Sequence, residues 1–221
     1  MSVTRASLNE LQVTAQKALE GAGVAPGLDR DGARAVVWLE SRGLGGLAML
    51  LNDFPHIGQG PLNCKDASVL ANGRSCLVVG PLAVDLAVAR LDQPITVEDC
   101  RSPLAAVAYA AGLAQSGRWF SVSWPDGEAL VTGRGVDLKC SDSSSDLCQL
   151  VIRTGTSAPP PPLEGGVSAE NLEARHVQSV NDGLMLDSAS RDRLRQAANR
   201  VLVPASERSR SGAGAEVDDN E

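Results

Sequence analysis

Large rings are almost missing from this chain: three Trp, two Phe and one Tyr serve 221 residues, of which 43% are nonetheless hydrophobic. The apolar fraction is ample for a buried core and excludes wholesale disorder. That core must rest on Ala, Val and Leu. Small side chains fill space by interdigitating, so the helices are expected to approach one another closely at Ala and Gly. The length allows one large domain or two small ones.

Residues 7–22 read as a helix. Ser7 is an N-cap with Glu10 three positions on, Leu8, Leu11, Ala15 and Leu19 recur at helical spacing, and Gly21-Ala-Gly23 ends it. A second helix is expected from about Leu28 to Arg42, with Trp38 near the boundary of its apolar face, and Gly43-Leu-Gly-Gly46 breaks it. Leu47 starts a short third helix that Pro55 stops. Ser75 to Val79 reads as a short apolar strand closed by Gly80-Pro81, and Leu82 to Leu91 fits helix or strand equally. Ser102-Pro103 opens a helix to about Gln115, since proline at the first helical position forfeits no hydrogen bond. Its Ala, Val and Leu content implies burial on most sides.

Trp119 to Trp124 alternates as a strand, Trp124-Pro-Asp-Gly127 turns, Glu128 to Thr132 returns, and Leu147 to Arg153 is a further strand. Thr154 to Gly166, with Pro159 to Pro162, reads as a stiff extended spacer. Asn181-Asp182-Gly183 is a turn, after which Asp187 or Ser188 caps a helix to about Arg200 with a stripe of Leu194, Ala197, Ala198 and Val201. Helices and strands are segregated rather than strictly alternating, which favours a single α+β domain over 1–221. Within it the helical segment spans 1–57, a mixed core 70–155, the proline loop 156–166, and a C-terminal helix and tail 167–221. The N-terminal helical layer is expected to pack beside a small, mainly antiparallel sheet.

A formal charge of −7 and a pI near 4.9 argue against nucleic acid as a partner, because a phosphate backbone needs a basic face. Only Lys17, Lys65 and Lys139 are lysines, and the arginine excess reads as base composition, like that of Ala and Gly. The first ten residues lack the apolar run of a secretory signal, and no window is long enough to span a bilayer. A cytoplasmic protein without a membrane partner is therefore expected. Cys64, Cys76, Cys100, Cys140 and Cys148 form no C-x-x-C pair. Cys140 and Cys148 would face each other across a hairpin, and in a reducing cytosol they read as free thiols.

Catalytic signatures are missing. His56 follows Phe54-Pro55 in a loop, and His176 lies in a polar stretch with Glu170, Glu173 and Arg175 that reads as exposed. There is no G-x-S-x-G elbow, so a cysteine paired with His56 is the best covalent option. Asp182 with Asp187, or Asp218 with Asp219 and Glu221, offers oxygens to a hard cation, but a solvated acidic surface is the simpler account and no metal is expected. Gly43-Leu-Gly-Gly46 follows a helix, where a dinucleotide-binding turn follows a strand. Gly133-Arg-Gly135 reads as a hairpin turn. The tail is the most suggestive stretch: Arg208 and Arg210 precede Gly212-Ala-Gly214. Two guanidinium forks beside backbone donors suit a carboxylate or phosphate; a frayed Ser/Gly/Ala tail is the alternative.

Ser7-Leu-Asn-Glu10, Ala35-Val-Val-Trp-Leu-Glu-Ser-Arg-Gly43, Val203-Pro-Ala-Ser-Glu-Arg-Ser-Arg210 and the Gly-Ala-Gly-Ala that follows together resemble an uncharacterised bacterial family, a domain of unknown function, over essentially the whole chain. The resemblance implies a bacterial, cytosolic protein and brings no activity with it. Residues 7–51 are also faintly similar to the N-terminal helices of malate/sulfolactate-type dehydrogenases. In that family an Arg-Gly stretch leads into a Ser-His-Gly element that carries the catalytic histidine. Here Gly45-Gly46-Leu47 stands in its place, so the histidine of that NAD-dependent oxidoreduction is missing.

Three functional expectations follow. The first is a non-catalytic protein that binds a small anionic metabolite through Arg208, Arg210, Gly212 and Gly214, with no cofactor specified. The second is a hydrolase or lyase acting on a small amide or hydroxy acid through His56 with a cysteine or aspartate, Asp182 being a further candidate. The third is a subunit of a homo-oligomer that touches its partner through helix 103–115 or the proline loop.

Overall fold

The computed structural model describes residues 2–58, 61–91, 93–114, 117–141 and 147–201. Arg208, Arg210, Gly212, Gly214 and the acidic terminus lie outside them. Helix α1 (Leu8–Gly21) starts as the sequence indicates, with Ser7 Oγ accepting from the Glu10 amide at 3.0 Å. The Glu10 carboxylate takes a distant partner, accepting from Arg191 at 2.5 Å and Arg195 at 3.1 Å. At the far end the Gly23 and Val24 amides return to the carbonyls of Glu20 and Leu19. That closure needs the left-handed backbone that Gly23 supplies. Helix α2 (Leu28–Ser41) ends the same way at Gly43, and α3 (Gly46–Asp53) follows. Glu40 on α2 caps α3, its Oε2 accepting from the Leu47 amide at 2.8 Å. Pro55 then tightens the chain into a single turn over Phe54–His56.

Strands β1 (Val3–Ala6) and β9 (Leu184–Asp187) form a small antiparallel sheet. The larger sheet holds β2 (Asn63–Lys65), β3 (Ser68–Leu70), β4 (Ile95–Cys100), β5 (Trp119–Trp124), β6 (Gly127–Thr132), β7 (Gly135–Cys140) and β8 (Cys148–Gly155). Its order is β2-β3-β4-β8-β5-β6-β7, with β3 and β4 parallel and the other neighbours antiparallel. Helix α4 (Cys76–Ala89) joins β3 to β4, and α5 (Leu104–Ala114) joins β4 to β5. Both helices pack on the sheet, where Ile95, Val97, Phe120, Val122, Leu150 and Ile152 are buried completely. Helix α2 covers α4 and α5 and is flanked by α1 and α3. Helix α6 (Ala169–Asp182) lies against β7 and α2, and α7 (Ser188–Ala198) packs on α1 and α3. This is the expected α+β domain, a helical layer beside a mainly antiparallel sheet.

The scarcity of rings shows in the helix contacts. A Cβ on Gly32 would stand 2.8 Å from Leu19 Cδ1, one on Gly80 2.8 Å from Tyr109 Cδ2, and one on Gly46 2.1 Å from the Val36 carbonyl oxygen. The α1/α2, α4/α5 and α2/α3 contacts thus each close on a glycine.

Residues 75–91 depart from expectation. Ser75 to Val79 does not form a strand, and Gly80-Pro81 terminates nothing; α4 runs through both. Ser75 caps the helix by accepting from the Leu77 amide at 3.0 Å. Pro81 has no N–H to offer the Leu77 carbonyl four residues back, and the Tyr109 hydroxyl donates to that carbonyl at 2.7 Å instead. Seated between two layers, α4 is apolar nearly all round, so no helical period marks it. Residues 169–182, too polar to show a period, form α6 with Leu172 as the buried anchor. Cys140 lies opposite Gly127 and Cys148 opposite Cys100, so Cys140 and Cys148 do not face each other. All five cysteines are free thiols, and the Cys100 and Cys148 sulfurs are 3.8 Å apart.

Candidate functional site

One helical turn of α2 carries both Trp38 and Arg42, a spacing that places the two side chains on one face. The guanidinium carbon stands 4.4 Å from the indole centroid, a cation–π contact. Arg42 Nη2 donates to Glu173 of α6 at 3.0 Å, while Nη1 lies 3.4 Å from both the Trp38 carbonyl and Ser41 Oγ. Only 11% of the Arg42 side chain is exposed. Burial draws its pKa down and Glu173 opposes that, yet a guanidinium stays cationic under such pressure.

Two cavities adjoin this pair. The smaller, about 230 Å³, is lined by Trp38, Arg42, Gly133, Arg134, Ala169 and Glu173 among others. Gly133-Arg134 is the two-residue loop of the β6–β7 hairpin, in which Thr132 pairs with Gly135, as the sequence suggests. Ala169 and Glu173 belong to the first turns of α6, capped by Ser168. The larger cavity, about 590 Å³, has Trp38, Arg42, Tyr109 and His176 on its walls, with Arg34 and Asp85 at its polar edge.

His176 is half-buried, not exposed as its polar neighbours suggested, because α6 folds its face onto α2. Its Nδ1 is 2.9 Å from Ser41 Oγ, and Ser41 Oγ donates to the Trp38 carbonyl at 3.2 Å. With the hydroxyl proton on the Trp38 carbonyl, the imidazole proton sits on Nδ1 and Nε2 carries a lone pair; in the other tautomer the hydroxyl donates to Nδ1 and Nε2 carries the proton. Burial, assisted by the Arg42 charge, pulls the His176 pKa below its usual value, so the ring is neutral at pH 7. Tyr109 differs. Its hydroxyl is committed to Leu77, and burial pushes its pKa far above the usual tyrosine range. It is wall, not acid.

The residues singled out from sequence lie elsewhere. His56 ends the turn after α3, beside Asp53. Asp53 is 4% exposed and accepts from the hydroxyls of Ser75 and of Ser102, the latter at 2.9 Å. Burial raises its pKa against the opposing pull of those hydroxyls, His56 and Arg101. Asp182 ends α6; its backbone carbonyl accepts from Arg5 Nε, and it lines an open cleft with Arg5, Ser7 and Glu10. Asp187 caps α7, accepting from the Ser190 amide at 2.9 Å. Among the described residues no group of three or more His, Cys, Asp or Glu side chains is placed to hold a metal ion. None of their helices is long and apolar enough to cross a membrane. Gly43-Leu-Gly-Gly46 is not a phosphate cradle, since the Glu40 carboxylate already occupies the amide end of α3. Sequence reasoning missed this pair; the Trp38-x-x-x-Arg42 spacing, which puts both side chains on one face, is the signal that could have found it.

A family model described as "Protein of unknown function (DUF3726)" matches residues 6–76, the stretch that contains α1 to α3 and both Trp38 and Arg42. No curated protein matches the sequence. Among solved structures the chain is similar to a dehydrogenase from Sinorhizobium meliloti, with a TM-score of 0.68 at 13% identity, covering 89% of this chain and 100% of that one. It is similar to the malate dehydrogenase of Pyrococcus horikoshii OT3, with a TM-score of 0.66 at 11% identity over 91% and 96% of the two chains. The sulfolactate dehydrogenase of Methanocaldococcus jannaschii gives 0.64 at 9% identity over 90% and 97%. At these identities the likeness is one of fold. The family resemblance expected over essentially the whole chain is matched over 6–76, and the likeness to malate/sulfolactate-type dehydrogenases, expected over 7–51, extends as a fold over about nine-tenths of the chain.

Proposed function

We propose that the protein binds a small anionic metabolite without transforming it, and that the anion lies in the smaller cavity against Arg42 and Arg134. The observation that carries this is the charge of the recess: two guanidinium groups line it against one carboxylate, Glu173. The amino end of α6 is already met by Asp137, whose Oδ1 accepts from the Ala169 amide at 3.0 Å, so the two guanidinium groups carry the attraction. A planar carboxylate matches a guanidinium fork in geometry as well as in charge.

The dehydrogenase names of the structural neighbours do not bring their chemistry with them, because one fold hosts many reactions. Position 46 also speaks against it. Any side chain there collides with the Val36 carbonyl, so residues 45–47 do not fit a nicotinamide-dependent hydride transfer that needs a histidine in that element. Arg208, Arg210, Gly212 and Gly214 remain candidate partners for the same anion.

Titration calorimetry with benzoate and with inorganic phosphate tests the proposal. Benzoate affinity is expected to fall about 10-fold or more in Arg42→Gln and in Arg134→Gln, the loss of a charge-assisted pair worth about 1.4 kcal/mol. Equal affinity in the wild type and both variants ends it. Binding lost only on deleting residues 204–221 moves the site to Arg208 and Arg210.

A second reading keeps hydrolase or lyase chemistry at His56, favoured by the buried Asp53 carboxylate beside it. It requires turnover of a small amide or hydroxy acid that disappears in His56→Gln; a wild-type protein inert across such a panel removes it. Assembly through α5, whose Leu113 is 39% exposed, or through loop 156–166 is a separate proposal. Light scattering that reports a monomer at every concentration disposes of that one.

A further inference from the structure

We infer that the larger cavity receives the ring of an aromatic or similarly flat acid, and that His176 Nε2 accepts a hydrogen bond from a hydroxyl or N–H on that ring. The inference rests on the anion reading above and extends it to the other end of the ligand. Arg42 lines both cavities, so the guanidinium that holds the acid also borders the larger one. Arg42 Nη1 and His176 Nδ1 both reach Ser41 Oγ, at 3.4 and 2.9 Å, so a single hydroxyl separates cation from imidazole. A ligand of one ring spans that distance.

The walls suit a ring. Trp38, Pro81, Tyr109, Ala108 and Ala111 border the cavity, and its alanines leave width where larger side chains would fill it. A volume of about 590 Å³ is ample for one small molecule. Tyr109 offers this ligand no hydroxyl, because Leu77 holds it. His176 is different in kind. With the Ser41 proton held by the Trp38 carbonyl, the neutral ring presents an acceptor at Nε2. A substituent that donates is therefore matched, and one that only accepts is refused. The charged groups around this imidazole are Arg42, Arg34 and Asp31 on α2, Asp85 on α4 and Glu173 on its own helix. Protonation would set a second cation beside Arg42 and abolish the acceptor.

The experiment compares benzoate, 3- and 4-hydroxybenzoate and their methyl ethers by calorimetry on the full chain, wild type and His176→Phe, at pH 7.5 and again in steps toward pH 5. One hydroxybenzoate is expected to bind about 10-fold more tightly than benzoate, as one well-placed hydrogen bond to a buried acceptor allows. Its methyl ether gains nothing. His176→Phe brings the ratio of hydroxybenzoate to benzoate affinity down to about one, whatever it does to benzoate itself, and acidification through the lowered His176 pKa does the same in the wild type. If benzoate binds but neither hydroxyl improves affinity, or if the improvement persists in His176→Phe, the inference fails and the anion reading stands. If inorganic phosphate binds and benzoate does not, this inference falls and the anion reading stands; if neither binds, both fall.

Discussion

Asp53 closes α3 and Arg42 closes α2, and both charges are largely withdrawn from water, yet the fold treats them in opposite ways. The Asp53 oxygens accept from Ser75, which caps α4, and from Ser102, which precedes α5, so three helix ends meet on one carboxylate. Arg42 has one carboxylate partner, one indole face and a place in the lining of two cavities. A buried charge whose bonds end on the protein's own hydroxyls belongs to the scaffold. One left at the wall of a cavity is available to something else.

The largest expected effect tests the scaffold half of that contrast. Asp53→Ala orphans the buried Ser75 hydroxyl and the half-buried Ser102 hydroxyl and should cost about 3 kcal/mol in urea unfolding, while the folded fraction binds benzoate as before. Arg42→Gln should cost less than half as much stability and lose about 10-fold in benzoate affinity. If the two variants unfold alike and bind alike, the contrast is broken.

Acid–base behaviour sharpens it further. Asp53 has a raised pKa, so its contribution to stability is fully present below the unfolded aspartate value and is lost as pH rises through the folded one; Asp53→Asn should remove that slope. His176 has a lowered pKa, so its contribution is present above the ordinary histidine value and is lost as pH falls through the folded one; His176→Gln should flatten that decline. Urea melts between pH 3.5 and 7.5 separate the two. The smallest effect is that of Arg134→Gln on stability, within about 0.5 kcal/mol for a hairpin-loop side chain, although benzoate binding suffers.

What the sequence disclosed depended on whether each element kept one wet face. Helix α1 announced itself through Ser7 and its leucine spacing, α5 through Ser102-Pro103, and the β5–β6 hairpin through Trp124-Pro-Asp-Gly127. Helix α4 was illegible because it is apolar around its circumference except at Asp85, and its Gly80-Pro81 pair imitates a stop while serving as the seat of Tyr109. Helix α6 was illegible for the opposite reason: it is mostly polar, its valines Val177 and Val180 are exposed, and Leu172 is its buried residue. The groove inherits both failures. His176 was visible but misplaced once α6 was missed, and Arg134 looked like an ordinary turn residue. Trp38 and Arg42 become a site only when helices far apart in sequence close around them.

Pro81 has a consequence for how the chain reaches this state. The Leu77 carbonyl finds its donor 32 residues away, on a helix that lies beyond β4. Alone, α4 lacks one rung of its ladder, so it gains full strength only when the segment through α5 has looped back and docked. The two helices should therefore open and close as one cooperative unit. In native-state hydrogen exchange, amides in the middle of α4 should share a single opening free energy with those of α5, and Tyr109→Phe should release α4 to exchange first.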